Sequence, residues 1–275
     1  MFTFCSLASG SEGNASLLQA DDFSVIIDLG ISCSRLEKEL ALVNVLPENI
    51  QAIFITHAHS DHVKGLATFQ KKYQAPLYLK KDTYNVLGRK GLFSRGSAPI
   101  NFLESDELQV GPITVNIFRL PHQGWLKSGA DDAGAHIGFK FTYKDKTIGY
   151  FTDLGKMPED IFQYIKDCDY YFLEANHDVL WQRIAKRPQG VIDRNLQNFG
   201  HLSNHQAGEI LSKVLVPQKA QRRTKGVMLA HLSRDCNNPI LAEDTILKTF
   251  TDKHIEPIEI KFAPQKKISE MIRIA

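Results

Sequence analysis

Apolar residues along this chain fall in short runs bounded by polar, glycine and proline positions. Residues 2–7 alternate loosely, 15–18 and 23–27 flank an Asp21-Asp22 turn, and 52–55 form a four-residue apolar run. Runs of that length suit strands, and the unbroken one suits a strand buried on both faces. Similar signals predict strands at 77–79, within 100–120, at 170–174, 225–229 and 257–262. Residues 137–143 and 147–151 read as a hairpin about Lys144-Asp145-Lys146. Helical spacing intervenes between them. Leu36, Leu40 and Val43 predict a helix capped by Ser32 or Ser34, and Pro239 opens another that runs to Phe250. Further helices are expected at 63–73, 83–92, 159–166, 178–186 and 204–215. Residues 123–135, with three glycines and no period, predict a loop. Strands interleaved with helices and no linker predict one α/β domain over 1–275, with sheets inside and helices outside.

The apolar run 52–55 leads at once into Thr56-His57-Ala58-His59-Ser60-Asp61-His62. Three of the ten histidines fall within six positions, which an ordinary polar turn does not require. Imidazole and carboxylate donors suit zinc, manganese or iron, and a strand end presents them rigidly. In an extended stretch His57 and His59 point the same way, while Asp61 and His62 turn toward a second point. Four more polar residues end apolar runs: Asp28 after 25–27, His122 after 117–120, Asp153 after 148–151 and His231 after 227–230. Each alone reads equally as a turn or helix cap. Together with the histidine cluster they outline the rim of an α/β active site.

Composition narrows the setting without naming a partner. A formal net charge of +2 announces no nucleic acid, although a local basic patch would be hidden in that mean. Cys5, Cys33, Cys168 and Cys236 form no CxxC pair and fit a reducing compartment. No run approaches the roughly eighteen apolar residues of a membrane span, and no signal-peptide pattern opens the chain, so a cytoplasmic protein is expected.

The sequence resembles the metallo-β-lactamase superfamily. T-H-x-H-x-D-H is matched residue by residue at 56–62, with Asp28, His122, Asp153 and His231 at the family's other motif positions. The resemblance implies a four-layer αββα sandwich and two divalent metal ions, zinc or manganese, with iron possible. It implies that His57, His59 and His122 hold one metal, that Asp61, His62 and His231 hold the other, that Asp153 bridges them, and that Asp28 orients the site from behind. Four further pieces resemble a small bacterial exonuclease branch, the YycJ/WalJ type: Ser9-Gly10-Ser11-x-Gly13-Asn14, Glu174-Ala175-Asn176-His177-Asp178, Gly200-His201-Leu202-Ser203-Asn204, and His231-Leu232-Ser233 with Asn237-Asn238. That branch implies action on DNA ends, 5′ to 3′. The chain departs from it in carrying Gln123 where the branch has an acidic residue, and in a longer link at 124–135, so His136 stands as the alternative to His122. No interval has room for a β-CASP insertion, and Ser60 stands where flavodiiron proteins carry Glu.

In the exonuclease reading Asp61 orients the attacking hydroxide, His201 or Ser203 steadies phosphoryl oxygens, and His177 or His201 gives a proton to the leaving oxygen. Ser203 and Asn204 at a helix start, with Arg183, Arg187 and Arg194, are candidate phosphate contacts, and Ser203-Asn204 reads equally as a plain helix cap. Trp125, Tyr171 and Trp181 are candidate base-stacking aromatics. The basic stretch Lys213, Lys219, Arg222, Arg223 and Lys225 reads first as a solvated loop and second as a backbone contact. Two other functions compete: a hydrolase of a small ester, thioester or lactam, which needs a deep apolar pocket, and a non-catalytic metal-binding interaction protein.

Overall fold

The short apolar runs become strands whose turns fall where the sequence loses its apolar residues. A computed structural model of the chain describes residues 1–92, 98–122, 135–218 and 221–274. Trp125, Lys219 and all of the expected 123–135 loop except Ala135 lie outside the described residues. Contacts divide the chain into two compact units, one of Met1–Arg119, Gly124–Ile137 and Ala263–Ala275, the other of Leu120–Gln123 and Gly138–Phe262.

The first unit opens with β1 (Phe2–Ala8), β2 (Ala15–Ala20) and β3 (Phe23–Ile27), an antiparallel meander. It continues through α1 (Cys33–Leu42), β4 (Ile50–Phe54), α2 (Ser60–Val63), α3 (Leu66–Tyr73), β5 (Leu77–Leu79), α4 (Lys81–Arg89) and β6 (Ile100–Phe102). β7 (Glu107–Val110) and β8 (Ile113–Arg119) form an antiparallel hairpin. β3, β4, β5 and β6 run parallel, each joined to the next by a crossover, and so their carboxyl ends share one edge of the sheet. Apolar side chains of β1 to β5 and of α1, α3 and α4 make one buried cluster that includes Leu17, Ile26, Leu36, Ile53, Phe69 and Leu87.

The second unit contains β9 (Ile137–Tyr143, from Gly138 on), β10 (Lys146–Phe151), α5 (Phe162–Ile165), β11 (Tyr170–Glu174), α6 (Val179–Ile184) and α7 (Gln189–Asn195). α8 (Asn204–Leu215), β12 (Gly226–Ala230), α9 (Pro239–Asp252) and β13 (Glu259–Phe262) complete it. Its strands lie in the order β13-β12-β11-β10-β9, with β10 to β13 parallel and β9 antiparallel to β10. The burial of all five residues in both β11 and β12 matches their unbroken apolar runs. Back in the first unit, β14 (Ile272–Arg273) pairs with β1. No helix among the described residues is long and apolar enough to cross a membrane.

Most expected elements stand where the pattern puts them, and the departures have local causes. The helix expected over 63–73 is interrupted at Lys64-Gly65, where the chain turns so tightly that a Cβ on Gly65 would lie 2.1 Å from the Ile31 carbonyl oxygen. Residues 159–166 divide into a 3₁₀ turn at Glu159–Ile161 and the short α5. α6 ends at Ile184, and Pro188 precedes the unexpected α7, whose buried residues are only Ile192 and Asn195. Of the two serines offered as caps for α1, Ser32 is the one used, its Oγ accepting from Arg35 N.

Candidate functional site

In the first unit the side chains that matter sit at the carboxyl ends of parallel β3 and β4. Asp28 follows β3 in a left-handed backbone conformation, φ 58°, which a non-glycine residue adopts only when its surroundings impose it. Its carboxylate is fully buried and accepts from Thr56 N at 2.8 Å, from Thr56 Oγ1 at 2.9 Å and from His62 Nδ1 at 2.8 Å. Burial pushes the Asp28 carboxyl up, against the opposing pull of His62 and Thr56. These bonds fix the imidazole tautomers. The Thr56 hydroxyl gives its one proton to Asp28, so at 3.0 Å it accepts from His57 Nδ1. His57 and His62 therefore both carry their proton on Nδ1 and keep a lone pair on Nε2, the arrangement that suits metal ligation. His57 Nε2 lies 2.9 Å from His59 Nδ1. Asn14 reaches in from the glycine-rich turn, its Nδ2 3.0 Å from His62 Nε2 and 3.3 Å from Asp61 Oδ2.

The second unit holds a separate cluster built on Glu174, the last residue of β11. Its carboxylate is fully buried, and Oε1 lies 2.8 Å from both His201 Nδ1 and His231 Nδ1. Oε2 accepts from the backbone nitrogens of Leu154 and Leu202 at 2.9 and 3.2 Å. Burial alone would raise this carboxyl. The charge and hydrogen bond of His201 and the hydrogen bond of His231 outweigh it and hold Glu174 below the usual range. Asp153 Oδ1 lies 3.3 Å from His231 Nδ1, and one ligand atom from each of Asp153, Glu174, His201 and His231 falls within 4.8 Å of the others. Asp153 and His231 repeat the backbone of Asp28, with φ 55° and 54°. Asn176 secures that conformation by donating from Nδ2 to the His231 carbonyl at 2.8 Å.

The donor sets fit a divalent metal. Imidazoles tied through Nδ1 to a buried carboxylate, beside further carboxylates, are the chemistry that borderline divalent ions take. The two candidates for the third histidine fall in different units. His136 is buried against His57, ring centroids 4.4 Å apart and nearly perpendicular. His122 packs beside His201, centroids 5.4 Å apart, with Nδ1 3.2 Å from the Gly200 carbonyl oxygen.

Several expected substrate contacts are engaged elsewhere. Ser203 completes a capping box with Gln206 at the start of α8, and the buried Asn204 exchanges amide hydrogen bonds with Asn237 at 2.8 and 2.9 Å. The plain cap is therefore what the structure displays at Ser203-Asn204. His177 does not suit the proton-donor role: it is 1% exposed, and burial pushes its imidazole down to about 4, leaving it neutral at physiological pH. Arg187 is ion-paired with Asp235 at 2.6 Å, and Arg194 donates to Asn195 Oδ1 at 3.2 Å. Within the basic stretch, Arg222 binds the Glu256 and Pro257 carbonyls, and Arg223 is paired with the buried Asp169. Arg222 and Arg223 are thus structural ties rather than solvated side chains. Tyr171 is buried, with its hydroxyl on the Ile165 carbonyl, and so cannot stack on a base, whereas Trp181 is 41% exposed.

Glu174, Asn176, Thr56 and Asn14 take positioning roles that their sequence context does not specify. Glu174 carries the same sequence signal as Asp28 and Asp153, a carboxylate ending an apolar run.

In the first unit a cavity of about 420 Å³ opens beside Asp61. Ser11, Ser32 and Ser60, the cations Arg35 and Lys64, the carboxylates of Glu12 and Asp61, and Ile31 line it.

Comparison with known proteins agrees with this chemistry. The family described as "Beta-lactamase superfamily domain" matches residues 25–220. An exodeoxyribonuclease WalJ of Streptococcus pneumoniae is 32% identical over 248 residues, 90% of this chain and 87% of that protein. An exodeoxyribonuclease YycJ of Bacillus anthracis is 28% identical over 254 residues, 91% of this chain and 89% of that one. Two solved structures share the fold: the metallo-β-lactamase fold protein YhfI from Bacillus subtilis (TM-score 0.69, 16% identity, 97% of this chain and 99% of that) and unliganded yeast PDE1 (TM-score 0.73, 13% identity, 98% and 99%).

Proposed function

The chain belongs to the beta-lactamase superfamily, and on that premise we propose that it is a dinuclear-metal phosphodiesterase, a cytoplasmic exonuclease acting on DNA ends from 5′ to 3′. The observation that carries the reading is the character of the cavity beside Asp61. Its walls are mostly polar, three serine hydroxyls, a guanidinium, an ammonium and the carboxylates of Glu12 and Asp61 beside Ile31, which suits a phosphodiester better than a small ester, thioester or lactam that calls for apolar walls. The relatives that span nine tenths of the chain are themselves named as exodeoxyribonucleases.

In this proposal His57, His59, Asp61, His62, His122, Asp153 and His231 are the ligands of two divalent ions, zinc or manganese, with iron compatible with the same donors. Bound metal would supply an activated water and neutralise charge on the phosphoryl group. The protein's own part is positional. Asp28 and Glu174 accept from Nδ1 of His62, His201 and His231, which holds each ring in place and turns its Nε2 outward. The Asp61 carboxylate, partly exposed, would accept a hydrogen bond from the attacking water or hydroxide and so aim it. His201, 14% exposed at its side chain and backed by Glu174, is the group suited to protonate the leaving oxygen, in place of the buried His177. Arg187 and Arg194 contact backbone phosphates if their present partners yield. Hydrolysis of end-labelled DNA by metal-reconstituted protein, set against a thioester and a lactone, tests the assignment.

A further inference from the structure

We propose that α4 clamps the histidine cluster of the first unit, with Lys90 and Thr83 as positioning residues for the metal site. The proposal rests on the metal-binding part of the reading above and assigns two residues that ligate nothing themselves.

The helix is held by its own packing. Val86 and Leu87 are buried in the core cluster of the first unit, and the Tyr84 ring meets Phe102 of β6 edge to face, centroids 5.4 Å apart. Thr83 and Lys90 stand seven residues apart. Lys90 keeps helical dihedrals as the C-cap, and its N–H donates to the Val86 carbonyl at 3.1 Å. Two turns therefore bring Thr83 and Lys90 to one face, the face that Val86 and Leu87 bury. A lysine at a helix end has a ready explanation in the helix dipole. The dipole does not direct its ammonium to another loop.

Both side chains grip the same kind of target. Lys90 Nζ donates to the Ala58 carbonyl at 2.8 Å, and Thr83 Oγ1, fully buried, donates to the Ala135 carbonyl at 3.1 Å. Each carbonyl belongs to the peptide that enters a histidine, Ala58-His59 in one case and Ala135-His136 in the other. Holding the carbonyl fixes the plane of that rigid peptide, and with it the direction in which the next side chain leaves. Ala58 is the one residue between His57 and His59, whose Nε2 and Nδ1 lie 2.9 Å apart. Rotation of its peptide would swing one imidazole away from the other. His136 is pinned on its far side as well, by Ile137 N donating to the Thr56 carbonyl at 3.2 Å. Its ring backs His57, which Thr56 already holds through Nδ1. The Lys90 bond is charge-assisted and the Thr83 bond is neutral, so Lys90 carries the larger share.

The test uses the full chain with two readouts: zinc affinity by competition with a chelating dye, and the visible spectrum of the cobalt(II) form, which reports ligand geometry. Lys90→Met keeps the aliphatic stem and removes the donor. It should weaken zinc about tenfold and alter the cobalt bands. Removing a positive charge near a cation site would by itself tighten binding, so the expected weakening has the sign of positioning and not of charge. Thr83→Val, of equal shape, should weaken zinc about threefold. Lys90→Arg keeps a donor and should recover most of the affinity, and Arg89→Gln, which removes the neighbouring charge, should not weaken it. Wild-type affinity and spectrum in Lys90→Met, tighter binding there, or Lys90→Arg no better than Lys90→Met would each overturn the proposal. If Lys90→Met does not fold, Thr83→Val decides on the same two readouts. A wild type that takes up neither ion would sink the metal reading and the clamp with it. Uptake by the wild type with unchanged variants sinks the clamp alone. Neither readout involves DNA, so failure of the nuclease assignment leaves the clamp standing.

Discussion

Glu174 Oε1 lies 2.8 Å from His231 Nδ1, and that contact joins the end of one parallel strand to the end of its neighbour. The same oxygen holds His201, and the other oxygen of Glu174 closes two backbone turns. A single buried carboxylate thus fixes two imidazoles and the loops that carry them. Glu174→Gln keeps the volume but sets an NH₂ against buried donors. It should cost about 1–3 kcal/mol of stability in EDTA, read by urea unfolding. Zinc or manganese affinity should fall about 10–100-fold, read by competition with a chelating dye. A variant with wild-type metal affinity would show that Glu174 does not position the metal ligands.

Asp28 combines a buried carboxylate with a left-handed backbone, and two substitutions separate these roles. Asp28→Ala loses both Thr56 bonds and the His62 bond and leaves a side chain at φ 58°. Asp28→Gly loses the same bonds without the backbone strain. Glycine should be more stable than alanine by about 1 kcal/mol in thermal unfolding, with metal binding weakened alike in both. Alanine as stable as glycine would deny that the conformation is imposed.

The contrast between two glycines tests the packing around Asp61. Gly30→Ala forces a methyl onto the Asp61 backbone, where neither chain segment can yield cheaply, and it should abolish folding or lower stability by several kcal/mol, ~3 or more. Gly190→Ala meets no atom within 4 Å and should be neutral or stabilising by about 0.5 kcal/mol. Circular dichroism melts of the two variants suffice.

Burial of neutral His177 makes stability fall in acid. Its folded-state value of about 4 lies below the ordinary 6.5, so between these the unfolded chain binds a proton that the folded chain refuses. The contribution is complete above pH 6.5, declines as pH falls and levels off below about 4. In EDTA, His177→Gln should flatten that part of the stability profile by roughly 2–3 kcal/mol. An unchanged slope would mean that His177 is protonated in the folded chain.

Much of the site was legible because one signal, a polar residue ending a short apolar run, recurs for a physical reason. Parallel strands stop at a common edge, and the residues just past their ends face the same space. Asp28, Asp153 and His231 carry that signal, and their left-handed backbones show how sharply the chain turns there. Glu174 gives the same signal, but a buried carboxylate that holds two imidazoles and two backbone N–H groups distant in sequence has no spacing of its own. Ser203 and Asn204 stay open to two readings in sequence because a helix cap and a phosphate contact use the same residue types, and the reciprocal bonds with Gln206 and Asn237 are what display the cap. Arg223 reads as part of a solvated loop because sequence charge does not reveal a buried partner such as Asp169. Asn14 and Thr56 act through hydrogen bonds to residues distant in sequence, Asn14 to Asp61 and His62 and Thr56 to Asp28, which no local pattern encodes.

The most direct measurement is hydrolysis of end-labelled single- and double-stranded DNA and RNA by protein reconstituted with zinc or manganese, with Asp61→Ala as control. The metal-loaded wild type should release mononucleotides from DNA ends, an activity abolished by EDTA and lost in the variant. No cleavage of any nucleic acid with either metal, together with turnover of a thioester or lactone, would overturn the nuclease assignment.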